Sequence, residues 1–153
     1  MEFAQERLAD ALNEIKPLLQ EHWQEIARNR DFIALSPDYA AYLHLDAAGL
    51  LRLYTARREG ALAGYSIYFV RPHLHYANNI WAVSDIVYLA PAARRGTCGV
   101  RLQAFAEAQL TAEGVHVMHT TSKLEHPALA RVMEYLGHKP IEVGHAKVLN
   151  RGP

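Results

Sequence analysis

The run Leu89-Ala90-Pro91-Ala92-Ala93-Arg94-Arg95-Gly96-Thr97-Cys98-Gly99-Val100-Arg101-Leu102 constrains the fold more than any other part of the chain. An apolar strand enters a basic, glycine-bearing turn, and an amphipathic helix leaves it. Such a turn aims free backbone N–H groups at one point, and the helix N-terminus adds its partial positive charge. A phosphate or pyrophosphate is the natural occupant. Glycine permits close backbone approach, and arginine can pair with phosphate oxygens as a bidentate fork. On this segment alone, an ordinary strand-to-helix turn with solvated arginines is an equal alternative, because short glycine motifs recur by chance.

The remaining pattern divides the chain into a helical first third and a sheet-bearing remainder. Leu8, Leu12, Ile15, Leu19, His22 and Ile26 follow helical spacing, and Pro17 either kinks one helix or opens a second. Ser36-Pro37 reads as an N-cap followed by proline in a first turn, starting a short helix that stops near Gly49. From Leu50 the period drops to two, with Arg58-Glu59-Gly60 as a hairpin turn before a strand over Leu62 to Val70. Arg71 to Asn79 reads as a loop, and Ile80 to Leu89 as a third strand. After the glycine turn come a helix carrying Leu102, Phe105, Ala106 and Leu110, a strand over Val115 to Thr121, and a helix opened by Pro127 and closed by Gly137. Pro140 to Leu149 alternates like a hairpin or edge strand, and Arg151-Gly152-Pro153 reads as frayed.

Composition narrows the setting. With 153 residues, half of them hydrophobic, the chain has the size of one domain with one core. Sixteen basic and sixteen acidic side chains cancel, so no net field draws it to nucleic acid or membrane, and a polyanion must be caught locally. The lone Cys98 excludes an internal disulfide, and no signal core or long apolar run is present; a cytoplasmic protein is expected.

The order of elements, helices, antiparallel meander, strand, phosphate turn, helix, strand, helix, resembles the GNAT superfamily of N-acetyltransferases. Arg94, Arg95, Gly96, Thr97, Cys98 and Gly99 fill the six positions of that family's acetyl-CoA signature. Leu62-Ala63-Gly64-Tyr65, Tyr88-Leu89-Ala90-Pro91 and Leu136-Gly137-His138 resemble the family's third strand, the end of its fourth, and the close of its last helix. The resemblance implies an α/β (α+β) fold: a mixed, mostly antiparallel sheet flanked by helices, with a splayed strand pair holding acetyl-CoA. Residues 1–153 then form one such domain, 1–48 a helical N-terminal part and 50–149 the sheet and cofactor core. Three departures stand out: Thr97 in place of a glycine, Met133 where the family's general-acid tyrosine falls, and no visible first strand.

The resemblance also assigns roles. The Leu89 N–H would polarise the thioester carbonyl, and Tyr88, Leu89, Gly96, Thr97, Cys98, Gly99 and Val100 would line the cofactor, assisted by Arg94, Arg95 and His126. Direct transfer to an amine needs a base, and Asp85, in Asp85-Ile86-Val87-Tyr88-Leu89, resembles the acid of the histone-acetylating branch. A carboxylate in an apolar strand is expected to have a raised pKa; the alternative is a structural Asp at a strand bulge or rim. His75, Tyr76 and His119 are second-rank acceptor-site candidates, each equally able to be packing or rim. Cys98, at a helix N-terminus beside two arginines, is expected to have a lowered pKa, yet no local partner favours thiol catalysis, and it reads as a small packing residue. The nine histidines lack paired ligand spacing, so no metal site is expected; His22 reads as packed. The partners expected are acetyl-CoA and an amine, with a homodimer left open. The competing classes are a non-catalytic acyl-CoA-binding or protein-interaction module of the same fold, and a histidine-based metal enzyme.

Overall fold

A computed structural model describes residues 1–150; the tail from Arg151 lies outside the described residues. The chain runs β1 (Glu2–Glu6), α1 (Leu8–Ile26), α2 (Tyr39–Ala47), β2 (Leu51–Arg58), β3 (Ala61–His73), β4 (Tyr76–Leu89), a 3-10 turn (Pro91–Ala93), α3 (Cys98–Ala112), β5 (Val117–His119) and α4 (Ala128–Tyr135). The strands lie in the order β1-β2-β3-β4-β5. The first four pair antiparallel, and β5 joins β4 in parallel. None of the described helices is long and apolar enough to cross a membrane.

Several expectations are corrected. The chain does not open as helix: Glu2–Glu6 pairs with β2. Only Phe3 in this strand is a large apolar residue, and it packs against Phe105 under the Arg101 guanidinium. Polar ties do the rest: Arg57 grips the Glu6 carboxylate at 2.8 and 2.9 Å. Pro17 neither splits nor ends α1, which is a single helix anchored by buried Leu8, Ala11, Ile15 and Leu19. Tertiary burial outweighs the one lost hydrogen bond. The cap of α2 is Asp38 rather than Ser36, its carboxylate accepting from the Ala41 N–H at 2.9 Å.

The expected loop at 71–79 is strand. β3 and β4 continue to a tight turn at Leu74-His75, where His73 faces Tyr76 in the ladder. The rings of His73, Tyr76 and Trp81 pack together, with centroids 4.2 Å apart for His73–Trp81 and 5.0 Å for His73–Tyr76. Cross-strand aromatic contact holds together a segment whose Pro72 and asparagines read as loop. At the other end of the chain, residues 140–149 form no strand despite their alternation, and Ile141 and Val143 stay exposed. β5 is three residues long, shorter than the expected Val115 to Thr121.

Helices α1 and α2 cover one face of the sheet, meeting Leu51, Leu53, Tyr65, Ile67 and Tyr88. Helix α3 covers the other, meeting Tyr54, Ala56, Tyr68, Val70 and Ala82. The register of β3 with β4 shifts between Ile67–Ile86 and Tyr68–Ser84, leaving Asp85 as the extra residue of a β-bulge. The bulge reverses the alternation along β4. Ile80 and Ala82 face α3, whereas Ile86 and Tyr88 face α1 and Leu89 returns to the α3 side.

Candidate active site

β4 and β5 form a ladder only over Trp81–Val83 and Val117–His119. One residue further, the Thr121 N–H donates to the Ser84 hydroxyl at 2.9 Å, and from Asp85 to Leu89 β4 runs on with no ladder partner on that side. The two strands therefore part beyond Ser84. Backbone alternation fixes what β4 presents to the gap. The Ala90 N–H donates to the Ala63 carbonyl at 2.9 Å, so Gly64 and Leu89 form the adjacent non-hydrogen-bonded pair. The N–H and C=O of Leu89 consequently point away from β3. Gly64 is required by this close approach: a Cβ there would lie 2.3 Å from Leu89 Cδ2 and 2.7 Å from the Tyr88 carbonyl oxygen.

The basic turn lies beside that amide. Gly96 adopts a φ of 71°, and Thr97 has an ordinary φ of −103°. The left-handed residue is thus Gly96, which explains how a β-branched threonine is tolerated next to it. The Thr97 side chain makes no cap, and the N–H groups of Cys98, Gly99 and Val100 have no partner among the described residues. Gly99 faces Leu89 and Val132: a Cβ there would meet Leu89 Cδ1 at 3.5 Å and Val132 Cγ2 at 3.6 Å. The uncapped amides thus open next to the parted strands, the arrangement a pyrophosphate requires.

The two arginines have different surroundings. Arg94 is engaged: its Nε donates to the Leu89 carbonyl at 2.8 Å, and its two terminal nitrogens grip Glu25 of α1 at 2.7 and 2.5 Å. That hydrogen-bonded pairing lowers the Glu25 pKa and raises that of Arg94. Arg94 therefore fastens the turn to α1, leaving Arg95, exposed and without a hydrogen bond among the described residues, as the cation free to face solvent. The exposed His126, whose backbone N–H donates to the Lys123 carbonyl at 3.0 Å, lies with Lys123 on this side of the site. Arg28, just past the end of α1, pairs with Glu125 of the same loop at 2.7 Å. Lys123 was not singled out in the sequence; its only signal is a basic residue in the loop before α4.

Tyr88 is buried, and its side chain turns to α1: the hydroxyl donates to Glu21 at 3.1 Å and the ring lies 4.9 Å from that of His22. Burial depresses the His22 pKa to about 4, with Arg94, Lys123 and His126 pushing the same way and Glu25 opposing. Cys98 departs from expectation. It is buried, and desolvation raises its thiol pKa more than Arg101 and Arg58 lower it. Burial removes the thiolate that the helix terminus and arginines would have favoured.

Asp85 is both a bulge residue and an accessible carboxylate. It remains exposed at the rim, yet enough protein surrounds the carboxyl for desolvation to raise its pKa, with the Tyr42 hydrogen bond acting in the opposite direction. Tyr42 of α2 donates its phenolic hydrogen to Asp85 Oδ2, and burial followed by this bond raises the phenol's own pKa. Beneath them lies Tyr65, fully buried, its hydroxyl without a partner among the described residues. After burial, Tyr42 and Asp85 are the largest influences that raise its pKa. The sequence puts Tyr42 on the short second helix, among tyrosines that suit several acceptors, and Tyr65 in the Leu62-Ala63-Gly64-Tyr65 strand, with no signal linking either to Asp85.

His75 and Tyr76 are not brought to this site, and His119 lies at its edge, where the β4–β5 ladder ends. Thirteen residues of extended β4 put Tyr76, with His75 beside it, roughly 40 Å along the strand from Leu89. His119 sits opposite Val83, beside Trp81, with Nε2 3.2 Å from Glu142. Met133 is buried and Tyr135 is exposed, so Tyr135 does not replace the missing phenol.

The sequence matches no family model and no curated protein. Solved structures match it along its length. A ribosomal-protein-alanine N-acetyltransferase from Brucella melitensis biovar Abortus 2308 superposes with a TM-score of 0.72 at 17% identity, covering 97% of this chain and 100% of that one. This chain has the GNAT acetyltransferase fold. An aminoglycoside acetyltransferase from an uncultured soil metagenomic sample, in complex with sisomicin, has a TM-score of 0.75 at 12% identity, with 97% and 96% of the two chains covered. An aminoglycoside N-acetyltransferase in complex with CoA has a TM-score of 0.71 at 16% identity, with 97% and 99% covered. At these identities the GNAT fold, rather than any one acceptor, is what the chains share.

Proposed function

We propose that this GNAT-fold chain is an N-acetyltransferase that moves an acetyl group from acetyl-CoA to a primary amine. The observation that carries the reading is the outward-facing Leu89 N–H beside the uncapped N-terminus of α3, where β4 has lost its β5 partner. The amides of Cys98, Gly99 and Val100 would hold the pyrophosphate, with Arg95 facing its oxygens and Gly96 and Thr97 shaping the turn. Bound acetyl-CoA supplies an acetyl group activated as a thioester. The Leu89 N–H would donate to the acyl oxygen, an oxyanion-type contact that is already oriented by the ladder.

An ammonium is not a nucleophile, so the acceptor must lose a proton as its nitrogen bonds the acyl carbon and the carbon–sulfur bond breaks. Asp85 is the base. Four residues at strand rise separate it from Leu89, up to about 13 Å, so the proton reaches the carboxylate through water. Met133 offers no proton to the departing thiolate, which leaves unprotonated or is protonated by solvent. The even charge balance and single buried cysteine support a cytoplasmic setting.

Free-CoA release with a panel of amines tests the reading. Asp85→Asn is expected to keep acetyl-CoA affinity while turnover falls by about 10²–10⁴, the deficit shrinking as pH approaches the amine's own pKa. Full activity of Asp85→Asn at neutral pH would remove Asp85 as the base. Tight acyl-CoA binding with no release for any amine would favour the non-catalytic module, to which Met133 lends its one argument.

A further inference from the structure

A cleft of about 340 Å³ lies where α1, the segment 27–38 and β4 meet, walled by Leu19, Trp23, Ile33, Leu35, Tyr42 and Ile86. Its wall contains no charged side chain; the polar side chains are the Tyr42 phenol, the Ser36 hydroxyl and the Trp23 indole. The one carboxylate at its end is Asp85, joined to the wall by Tyr42 and adjacent to Ile86. Of the acids nearby, Glu25 is paired with Arg94, Glu21 accepts from Tyr88 and Asp38 caps α2 through the Ala41 amide, while Asp31 is exposed to solvent two residues before Ile33.

We infer that the acceptor is a monocationic primary amine on an apolar body the size of one aromatic ring, seated in this cleft with its nitrogen towards Asp85. The inference rests on the acetyl-transfer reading and adds the substrate class. The volume is at the small end of ligand sites, and its walls are those of an apolar pocket with one polar anchor. A second or third ammonium held within the cleft would lie against Trp23, Ile33 and Leu35, and charge against apolar walls is strongly disfavoured. Charge count and wall chemistry therefore select against polyamines and aminoglycosides.

The sequence has two tryptophans, Trp23 and Trp81, so a Trp81→Phe protein reports on the cleft through Trp23 fluorescence alone. Phenethylamine, ethylamine, spermidine and sisomicin would be titrated against it without acetyl-CoA, and the same amines compared by free-CoA release. Phenethylamine is expected to give a saturable change and to exceed ethylamine in kcat/KM by about 10- to 100-fold, the worth of burying one ring. Ile33→Arg, at a position already half exposed, is expected to weaken phenethylamine by more than about tenfold while the thermal shift with acetyl-CoA stays unchanged. Preference for spermidine or sisomicin in both readouts, or indifference to Ile33→Arg, overturns the inference and leaves acetyl transfer standing. A saturable phenethylamine signal with no CoA release from any amine upholds the cleft and overturns the transfer reading.

Discussion

His22 makes the stability of this protein depend on pH in a way that can be calculated and isolated. In the folded chain its pKa is about 4, against 6.5 for the free side chain, because burial against Tyr88 disfavours the imidazolium. The sign follows from linkage: the unfolded chain binds a proton that the folded chain rejects, so stability falls as pH drops from about 6.5 towards 4. Between about pH 7.5 and pH 5 the two pKa values give a loss of about 2 kcal/mol. His22→Phe keeps a ring on Tyr88 and removes the titration. Urea denaturation of both proteins across that range, read as the difference between them, cancels the carboxylates they share. The wild type is expected to lose about 2 kcal/mol relative to His22→Phe on acidification. Parallel curves would mean that His22 is solvated, and the packing of α1 on Tyr88 described above would be wrong.

Gly99→Ala should fold and bind normally, since its Cβ would meet only ordinary contacts, whereas Gly99→Glu should abolish the acetyl-CoA thermal shift without unfolding the chain; undiminished CoA affinity in a folded Gly99→Glu would refute the pyrophosphate site. Arg95→Ala should weaken CoA more at low than at high salt, because its charge is solvent-screened. Arg94→Ala should instead lower stability by up to about 1 kcal/mol through the part-exposed pair with Glu25, measured by the denaturation midpoint, and a larger CoA defect than that of Arg95→Ala would reverse these roles. Tyr42→Phe removes the bond that lowers the Asp85 pKa, so the acidic limb of kcat/KM should move to higher pH; an unmoved limb would show that Asp85 does not carry it.

The sequence made the centre of the fold legible and its edges obscure. The turn at Gly96, the helix stops at Gly114 and Gly137, and the Glu59-Gly60 hairpin are all places where backbone with positive φ demands glycine or a short turn, and such demands are local. β1 was hidden because one phenylalanine packed on Phe105 and the Arg57–Glu6 ion pair, rather than alternation, fasten it beside β2. The extension of β3 and β4 beyond Val70 was hidden because ring packing across the hairpin outweighs Pro72 and the asparagines. At the site, the strand chemistry of Asp85 and Leu89 could be read in order along β4. The partners could not: Tyr42 reaches Asp85 across 43 residues, and Glu25 reaches Arg94 across 69. Nothing in the local pattern of α1 or α2 records which strand they cover.

The extra residue in β4 stands between the proposed amine cleft and the proposed thioester site. Because the bulge at Asp85 inverts the strand's alternation, Ile86 belongs to the α1–α2 side, while Leu89 faces α3 with Gly99. The lining of the proposed amine cleft and that of the proposed cofactor turn consequently belong to opposite layers of one sheet, and the transfer proposed above has to take place at the gap where β4 has lost its β5 partner. Substitutions in the segment 27–38 can recarve the amine cleft without touching the turn that starts α3, so new acceptors are reachable one layer at a time. A single-residue deletion of Asp85 would leave Ile86 and Tyr88 on the α1–α2 layer, because Ser84 and Ile86 would then alternate without interruption, and would remove only the carboxylate and the bend of the strand.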